Sequence, residues 1–326
     1  MAIQEVHEVD TAGCYKPELP IQFVPLFTWP PKPAALVRFF FGFPGFLLPW
    51  FAIFLGVSIV FWTWLAPDME QARLLSAGWI APILARNLLI FVAFVGGQHV
   101  LMYRLQHQGK AYKYNPNWLA KDDPNFLFRD QLWDNVFWNI AGAVPVWTFF
   151  EVMTLWLSAN HYIPTVSIAE HPFYVAALLL TSPIWTIAHF YAIHRFLHWR
   201  PLFRHAHHIH HRNINIGPWS GLSMHPFEHL LYFSAVCLYW ILPAHPLVAE
   251  FTLINLALGA SVGHLGFGQV SLGGGKYFNN EHYMHYLHHR YFRVNYTVEM
   301  VPLDKWLGTF YDGTDVGRAA LKRRSR

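Results

Sequence analysis

The chain has 326 residues, 54% of them hydrophobic and only 13% charged, with 15 Trp, 28 Phe and a formal net charge of +4. A water-soluble domain carries about 25% charged residues, so lipid rather than water is the expected solvent. The basic residues follow the ends of apolar runs and form no stripe, which excludes a nucleic-acid partner, and the isolated Cys14 and Cys237 give neither a disulfide framework nor a CxxC metal site.

Residues 1–35 are polar and proline-rich, an irregular lead-in to one integral-membrane domain over 36–326. The start, MAIQEVHEVD, lacks a signal-peptide pattern, so insertion is expected through internal segments. Phe39 to Ala66 holds no charged residue over 28 positions, enough for one crossing of about 20 residues. Gly42, Pro44 and Gly45 mark an entry kink, and Trp62 and Trp64 fall where an interfacial belt belongs. Runs from Leu74 to Tyr103, Val136 to Ser158 and Phe173 to Ile193 predict three more crossings. Leu230 to Leu242 and Leu247 to Gly263, joined by Pro243-Ala-His-Pro246, predict a helical hairpin whose short first arm suggests a partly re-entrant path. The expected fold is all-α and polytopic, with about four transmembrane helices plus the hairpin.

This topology puts residues 1–38, 104–135, 194–229 and 264–326 on one face. Of 23 Lys and Arg, only Arg73 and Arg86 then lie elsewhere, so the positive-inside rule makes that face a cytoplasmic helical cap, in an endoplasmic reticulum or bacterial inner membrane.

The same face collects the histidines. His194 and His198 are spaced i, i+4, and His207, His210 and His211 are spaced i, i+3, i+4, as are His285, His288 and His289; on helices each group shares a face. Neutral imidazole is the commonest metal ligand, so these eight are candidate ligands. His225, in HPFEH, and His264, in VGHLGFG, are further candidates, each also readable as a hydrogen-bonded outer group; Gly263 and Gly266 would let backbone and metal approach closely. His205, His208 and His282 lie off the triplet faces, and His189 could serve a polar inter-helix contact. His7, His99, His107, His161, His171 and His245 have no partner at useful spacing. So many imidazoles suit two ions with open positions better than one closed structural zinc, although imidazole accepts iron, zinc and copper alike.

The order HRFLH, HHIHH, HPFE, HLG, HYLHH, then Asn295-Tyr296 and Leu303-Asp304-Lys305-Trp306-Leu307-Gly308-Thr309, resembles the fatty acid hydroxylase superfamily of membrane di-iron enzymes, in particular its sterol desaturase branch. The resemblance covers roughly residues 129–312, with Thr297 standing where many relatives have glycine. It implies two non-haem iron ions held by His194, His198, His207, His210, His211, His285, His288 and His289, with His264 and His225 as additions. It also implies O2 as cosubstrate, two external electrons, and a lipid C–H bond converted to an alcohol or a double bond. No haem module of the HPGG type is evident, so a separate donor is expected, cytochrome b5 or a ferredoxin with its reductase. A fatty-acyl or sphingolipid hydroxylase with the same site is the alternative enzyme. A His-rich metal transporter is the non-enzyme alternative, and it calls for ligands at the membrane midplane.

The sequon Asn295-Tyr-Thr297 lies on the cytoplasmic face and is expected to carry no glycan, and Gly273-Gly-Gly275 reads as a turn. The basic ending Lys322–Arg326 suits anionic headgroups. Glu151 and Glu250, in apolar runs, are either functional or hydrogen-bonded inside the bundle.

Overall fold

A computed structural model of the chain describes residues 13–280 and 282–324, without side-chain detail from 320 onward. His7 and the side chains of the basic ending lie outside the described residues.

Helix α1 (Pro33–Phe41) begins with proline at its first position, where a missing N–H costs nothing, and stops at Gly42. The kink expected at residues 42–46 is present, and it needs glycine: a Cβ on Gly45 would lie 2.7 Å from the Gly42 carbonyl oxygen. Five helices are long and apolar enough to cross a membrane: α2 (Leu47–Leu65), α3 (Ala77–Arg104), α4 (Gln131–Ala159), α5 (Pro172–Leu197) and, after further elements, α8 (Pro246–Gly263). The protein is therefore a multi-pass membrane protein. In α8, 72% of an 18-residue window is buried, against 17% in α2 and in α5, so α8 is the central helix and the other two face lipid. It packs against α2, α4 and α5, and Phe251, Leu253, Ile254 and Leu258 are fully enclosed.

Two helices run past their apolar stretches. Helix α4 starts at Gln131, where the Asp130 carboxylate accepts the Trp133 N–H at 3.1 Å as an N-cap. Its first turns bury Gln131, Asp134, Asn135 and Asn139. Gln131 Nε2 donates to Asn213 Oδ1 at 2.9 Å and Asn139 Nδ2 to the Trp219 carbonyl at 2.7 Å, tying down the segment that follows the first histidine block. Helix α5 continues four residues beyond its apolar run and carries His194 in its last turn.

After α6 (residues 200–211), the hairpin comprises α7 (Pro226–Phe233), a 3₁₀ stretch (Ser234–Trp240), and α8. Its first arm is not re-entrant. The Ala244 N–H donates to the Pro164 carbonyl in the α4–α5 loop, and His245 packs on Trp62 near the end of α2, so the turn reaches the opposite end of the bundle. Eight α-helical residues at about 1.5 Å and seven 3₁₀ residues at about 2.0 Å rise about 26 Å, close to a hydrocarbon core. The stretched geometry thus lets a short arm span, and Trp185 Nε1 donates to the Ala235 carbonyl within it at 2.8 Å.

Among the described residues there is also one small sheet that periodicity did not reveal: β1 (Gln269–Gly273) pairs antiparallel with β2 (Lys276–Asn279). Gly273, Gly274 and Gly275 make its turn, all at positive φ. Helix α9 (Tyr283–Tyr291) follows and brings the second histidine block back to the end of α5.

Candidate metal centre

Nine of the ten histidines singled out from sequence converge at the end of the bundle where α5 and α8 finish. They form two sets. His194, His198, His207, His211 and His288 make one, and His210, His264, His285 and His289 the other; within each, the candidate ligand atoms lie within 4.8 Å of one another. All nine are buried except His198, which is half-buried.

Neither HxxHH triplet presents a single face to a single site. His207 and His211 join the first set and His210 the second, whereas His285 and His289 join the second and His288 the first. At 3.6 residues per turn, positions four apart differ by about 40° and adjacent positions by about 100°. The i, i+4 pair therefore serves one set and the remaining histidine turns to the other. Each triplet bridges both sets, and α5 and α8 complete them with His194 and His198, and with His264.

The surroundings fix how the rings point. His194 Nδ1 donates to the Tyr296 carbonyl at 2.7 Å, His288 Nδ1 to the Val294 carbonyl at 2.6 Å, and His264 Nδ1 to the Ala260 carbonyl at 2.8 Å. A carbonyl only accepts, so each Nδ1 carries the proton and each Nε2 presents a lone pair to the cluster. The Nε2 atoms of His264, His285 and His289 form a triangle with sides of 3.0, 3.1 and 3.2 Å. Hydrogen bonds cannot close such a triangle, because each N–H points at one neighbour only. In the first set, His198 Nε2 lies 3.1–3.2 Å from the Nε2 atoms of His207, His211 and His288. Nitrogens converging in this way fit neighbouring ligands of one cation with bonds near about 2.1 Å. Burial, reinforced by neighbouring histidines, pushes His198 down to about 2 and His207, His210, His211, His285, His288 and His289 well below the ordinary imidazole value. Burial also lowers His264 to about 4. All of these are neutral, the form that ligates a metal.

Two supporting residues carried no periodic signal. Glu228 is buried and its Oε1 lies 2.7 Å from His207 Nδ1. It is the E of HPFEH, so the motif supplies its glutamate to the first set. Asp304 accepts the backbone N–H groups of Tyr296 and Thr297 at 2.8 and 2.9 Å and the Thr309 hydroxyl at 2.6 Å. It therefore locks the loop whose carbonyls orient His194 and His288. Asn295, at positive φ, donates to the Tyr311 and Met284 carbonyls and accepts the Tyr311 N–H; it is buried, which leaves no room for a glycan.

The tenth candidate lies apart. His225 is half-buried and caps α7, its Nδ1 accepting the Phe227 N–H at 3.2 Å, so its lone pair is engaged outside both sets. Gly266, too, serves a different contact: at φ +85° its missing Cβ makes room for the Tyr103 hydroxyl, 2.5 Å from where that carbon would sit. Of the remaining histidines, His205, His208, His107, His161 and His171 are exposed, His189 bonds Ser234 Oγ at 3.1 Å, His99 stacks on Tyr103, and His245 caps α8. His282 lines a cavity beside the second set.

Residues 177–309 match the fatty acid hydroxylase family, and all nine clustered histidines fall inside that range. A stretch of 114 residues is 31% identical to the Delta(7)-sterol 5(6)-desaturase of Saccharomyces cerevisiae, covering 32% of this chain and 28% of that protein. The aligned part thus spans less than a third of the relative's length. No solved structure matches the chain. In its histidine order and its helical membrane bundle the chain is thus similar to the fatty acid hydroxylase family over residues 177–309, and over 114 residues to a sterol desaturase.

Proposed function

We propose that this protein is a di-iron oxidoreductase that uses O2 and two electrons from a separate carrier to desaturate or hydroxylate a lipid C–H bond, most simply as a sterol desaturase. The observation that carries the reading is the position of the second histidine set. His210, His264 and His285 form part of the wall of a cavity of about 190 Å³ whose other lining includes Phe190, Met224 and Leu256. A lipid carbon held there lies beside the imidazoles.

When bound, two iron ions supply the oxidant that an unactivated C–H bond requires. The protein's part is to hold and orient. The carbonyls of Val294, Tyr296 and Ala260 aim ring nitrogens inward, Glu228 steadies His207, and the aromatic wall holds the lipid. The electron balance is the same for either product. O2 takes four electrons, two from the lipid and two from the carrier, a cytochrome b5 or a ferredoxin; hydroxylation leaves one oxygen on carbon and one in water, and desaturation sends both to water. The one-sided basic residues support a cytoplasmic location for the site, where such carriers work.

A transporter reading is disfavoured because both sets lie at one end of the helices and not along a polar path at mid-membrane. Metal analysis of purified protein, with lipid profiling of cells expressing wild type or His207→Ala, tests the proposal. Two irons per chain and a changed lipid species lost in the variant are expected. Fewer than two metals, or identical profiles, would count against it.

A further inference from the structure

The two histidine sets have different surroundings. The cavity of about 190 Å³ is lined by His210, His264 and His285 of the second set and by none of the first. The first set instead comes nearest the surface at His198, the one half-buried ring among the nine clustered histidines. His198 is the C-cap of α5, and Trp199 and Arg200, next in the chain, are exposed. Phe203 of α6 packs on the His198 ring at 5.3 Å and on Phe292 at 6.2 Å, which brings the segment after α9 to the same edge.

That edge carries positive charge. Arg195, Arg200, Arg204 and Arg293 are all exposed. Arg293 is close enough for its charge to act on His198, and Arg195 and Arg293 both act on Tyr296, whose ring lies 5.0 Å from that of His198. From His194 to Phe227 the chain has no acidic residue at all. None of the four edge arginines forms an ion pair with a described residue. Asp304, an acid that the charge of Arg195 reaches, is buried and already accepts the Tyr296 and Thr297 N–H groups and the Thr309 hydroxyl. Exposed like charges repel one another and any cation that the histidines hold, so the fold alone gains nothing by gathering them. An anionic partner turns the same field into attraction and is steered to that spot.

We propose that Arg195, Arg200, Arg204 and Arg293 form the docking surface of an acidic electron carrier, which delivers its electrons over the half-buried edge of His198. The inference rests on the lipid-oxidising reading above and gives each set its own side: electrons arrive at the first and the lipid carbon at the second. Each docking oxidises one reduced carrier by one electron, and two dockings supply the two electrons of a turnover. A carrier is favoured over anionic headgroups because the arginines come from two separate stretches of the chain and gather around one ring of the cluster. A headgroup site requires no such ring.

The test places the full chain in nanodiscs of neutral phosphatidylcholine and measures the affinity of two oxidised carriers, a soluble cytochrome b5 domain and a ferredoxin, each chosen with net negative charge. Iron content and thermal midpoint are measured on the same samples. Wild type is expected to bind at least one carrier, and more weakly as salt is raised. Arg200→Glu combined with Arg204→Glu should lower that affinity about tenfold or more, chiefly through the association rate, and Arg293→Glu should act in the same direction, with iron unchanged. Lys121→Glu, which reverses an exposed charge elsewhere on the basic face, should leave it unchanged. Should a reversal lower the thermal midpoint, Arg200→Gln with Arg204→Gln decides in its place, with a smaller loss expected. Failure of both carriers to bind wild type, an affinity indifferent to the reversals, or an equal loss in Lys121→Glu overturns the docking surface while leaving the oxidase reading in place. Reversals that matter only after phosphatidylserine is added to the nanodiscs assign the arginines to headgroups and overturn it too. Absence of iron from wild type is the separate failure of the oxidase reading, and carrier binding, which needs no turnover, still reads out on that protein.

Discussion

His210 and His211 are consecutive in the chain, yet their rings stand 87° apart, with centroids separated by 5.7 Å, and belong to different candidate metal-ligating sets. The chain thus places two sites side by side with one helical turn, and His288 and His289 do the same from the opposite side at 6.0 Å and 87°. Each site depends on both triplets. His210→Ala is expected to empty the second site before the first and His211→Ala the reverse, each leaving close to one tightly held metal per chain. Metal stoichiometry after graded chelation checks this; equal loss from both sites in both variants would refute independent sets.

Glu228 predicts a graded effect. Removing a group that orients a metal-bound histidine typically costs about 10–100-fold in metal affinity. Glu228→Gln keeps a hydrogen-bonding oxygen beside His207 Nδ1 and should lose the lower part of that range, whereas Glu228→Ala should lose the upper part. Competition against a chelator of known affinity gives the ratio. An unchanged affinity in Glu228→Ala would show that His207 needs no anchor.

Asp304 acts through backbone. It accepts two N–H groups and one hydroxyl while buried, and hydrogen bonds to a charged acceptor contribute about 1.5–3 kcal/mol each. Asp304→Ala is expected to lower the thermal midpoint strongly and also to reduce metal content, because the Tyr296 and Val294 carbonyls that fix His194 and His288 lose their support. Asp304→Asn, which keeps one acceptor oxygen, should fall between. Full metal content in a clearly destabilised Asp304→Ala would uncouple the loop from the site.

How much of this was legible follows from what sequence encodes. Spacing identifies histidines on one turn of helix, so His194, His198 and both triplets stood out. It cannot tell which of three neighbours turns which way, because that depends on where the second block docks about eighty residues later. His264 was legible only as a lone histidine at a helix end, and His225, equally plausible by position, is a cap. Glu228 and Asp304 act across folds of the chain and have no period. The apolar runs located every crossing, but the first hairpin arm spans only because Ser234–Trp240 is 3₁₀, a geometry that hydropathy does not report.

Arg86, Glu151 and Glu250 make a prediction outside the two histidine sets. Arg86 contacts Glu151 directly and lies 3.8 Å from Glu250 Oε1, joining α3, α4 and α8 inside the bundle, while Asn87 Nδ2 donates to Glu151 Oε2 at 2.8 Å. Breaking a buried pair by removing one partner costs about 3–5 kcal/mol, because a charge is left uncompensated. Arg86→Met should therefore be severely destabilised, and Arg86→Met combined with Glu151→Met and Glu250→Gln substantially rescued. Detergent-solubilised thermal unfolding measures both, and a single variant as stable as wild type would remove the cluster from the stability of the bundle.

Lys113 gives a pH signature outside the membrane-spanning segments. It is 1% exposed, its Nζ donates to the Asn115 carbonyl and Asn215 Oδ1, and burial lowers it to about 7 from an ordinary 10.5. With the folded value below the unfolded one, the unfolded chain binds more protons between the two. This group's contribution to stability therefore rises as pH increases from about 7 toward 10.5, and is flat below that window. Lys113→Met removes the titration and keeps the apolar stem, so the difference in thermal midpoint between wild type and variant should shift in favour of wild type across that window. A difference that stays constant from pH 7 to 10 would mean that Lys113 remains protonated in the fold, held by its two acceptors.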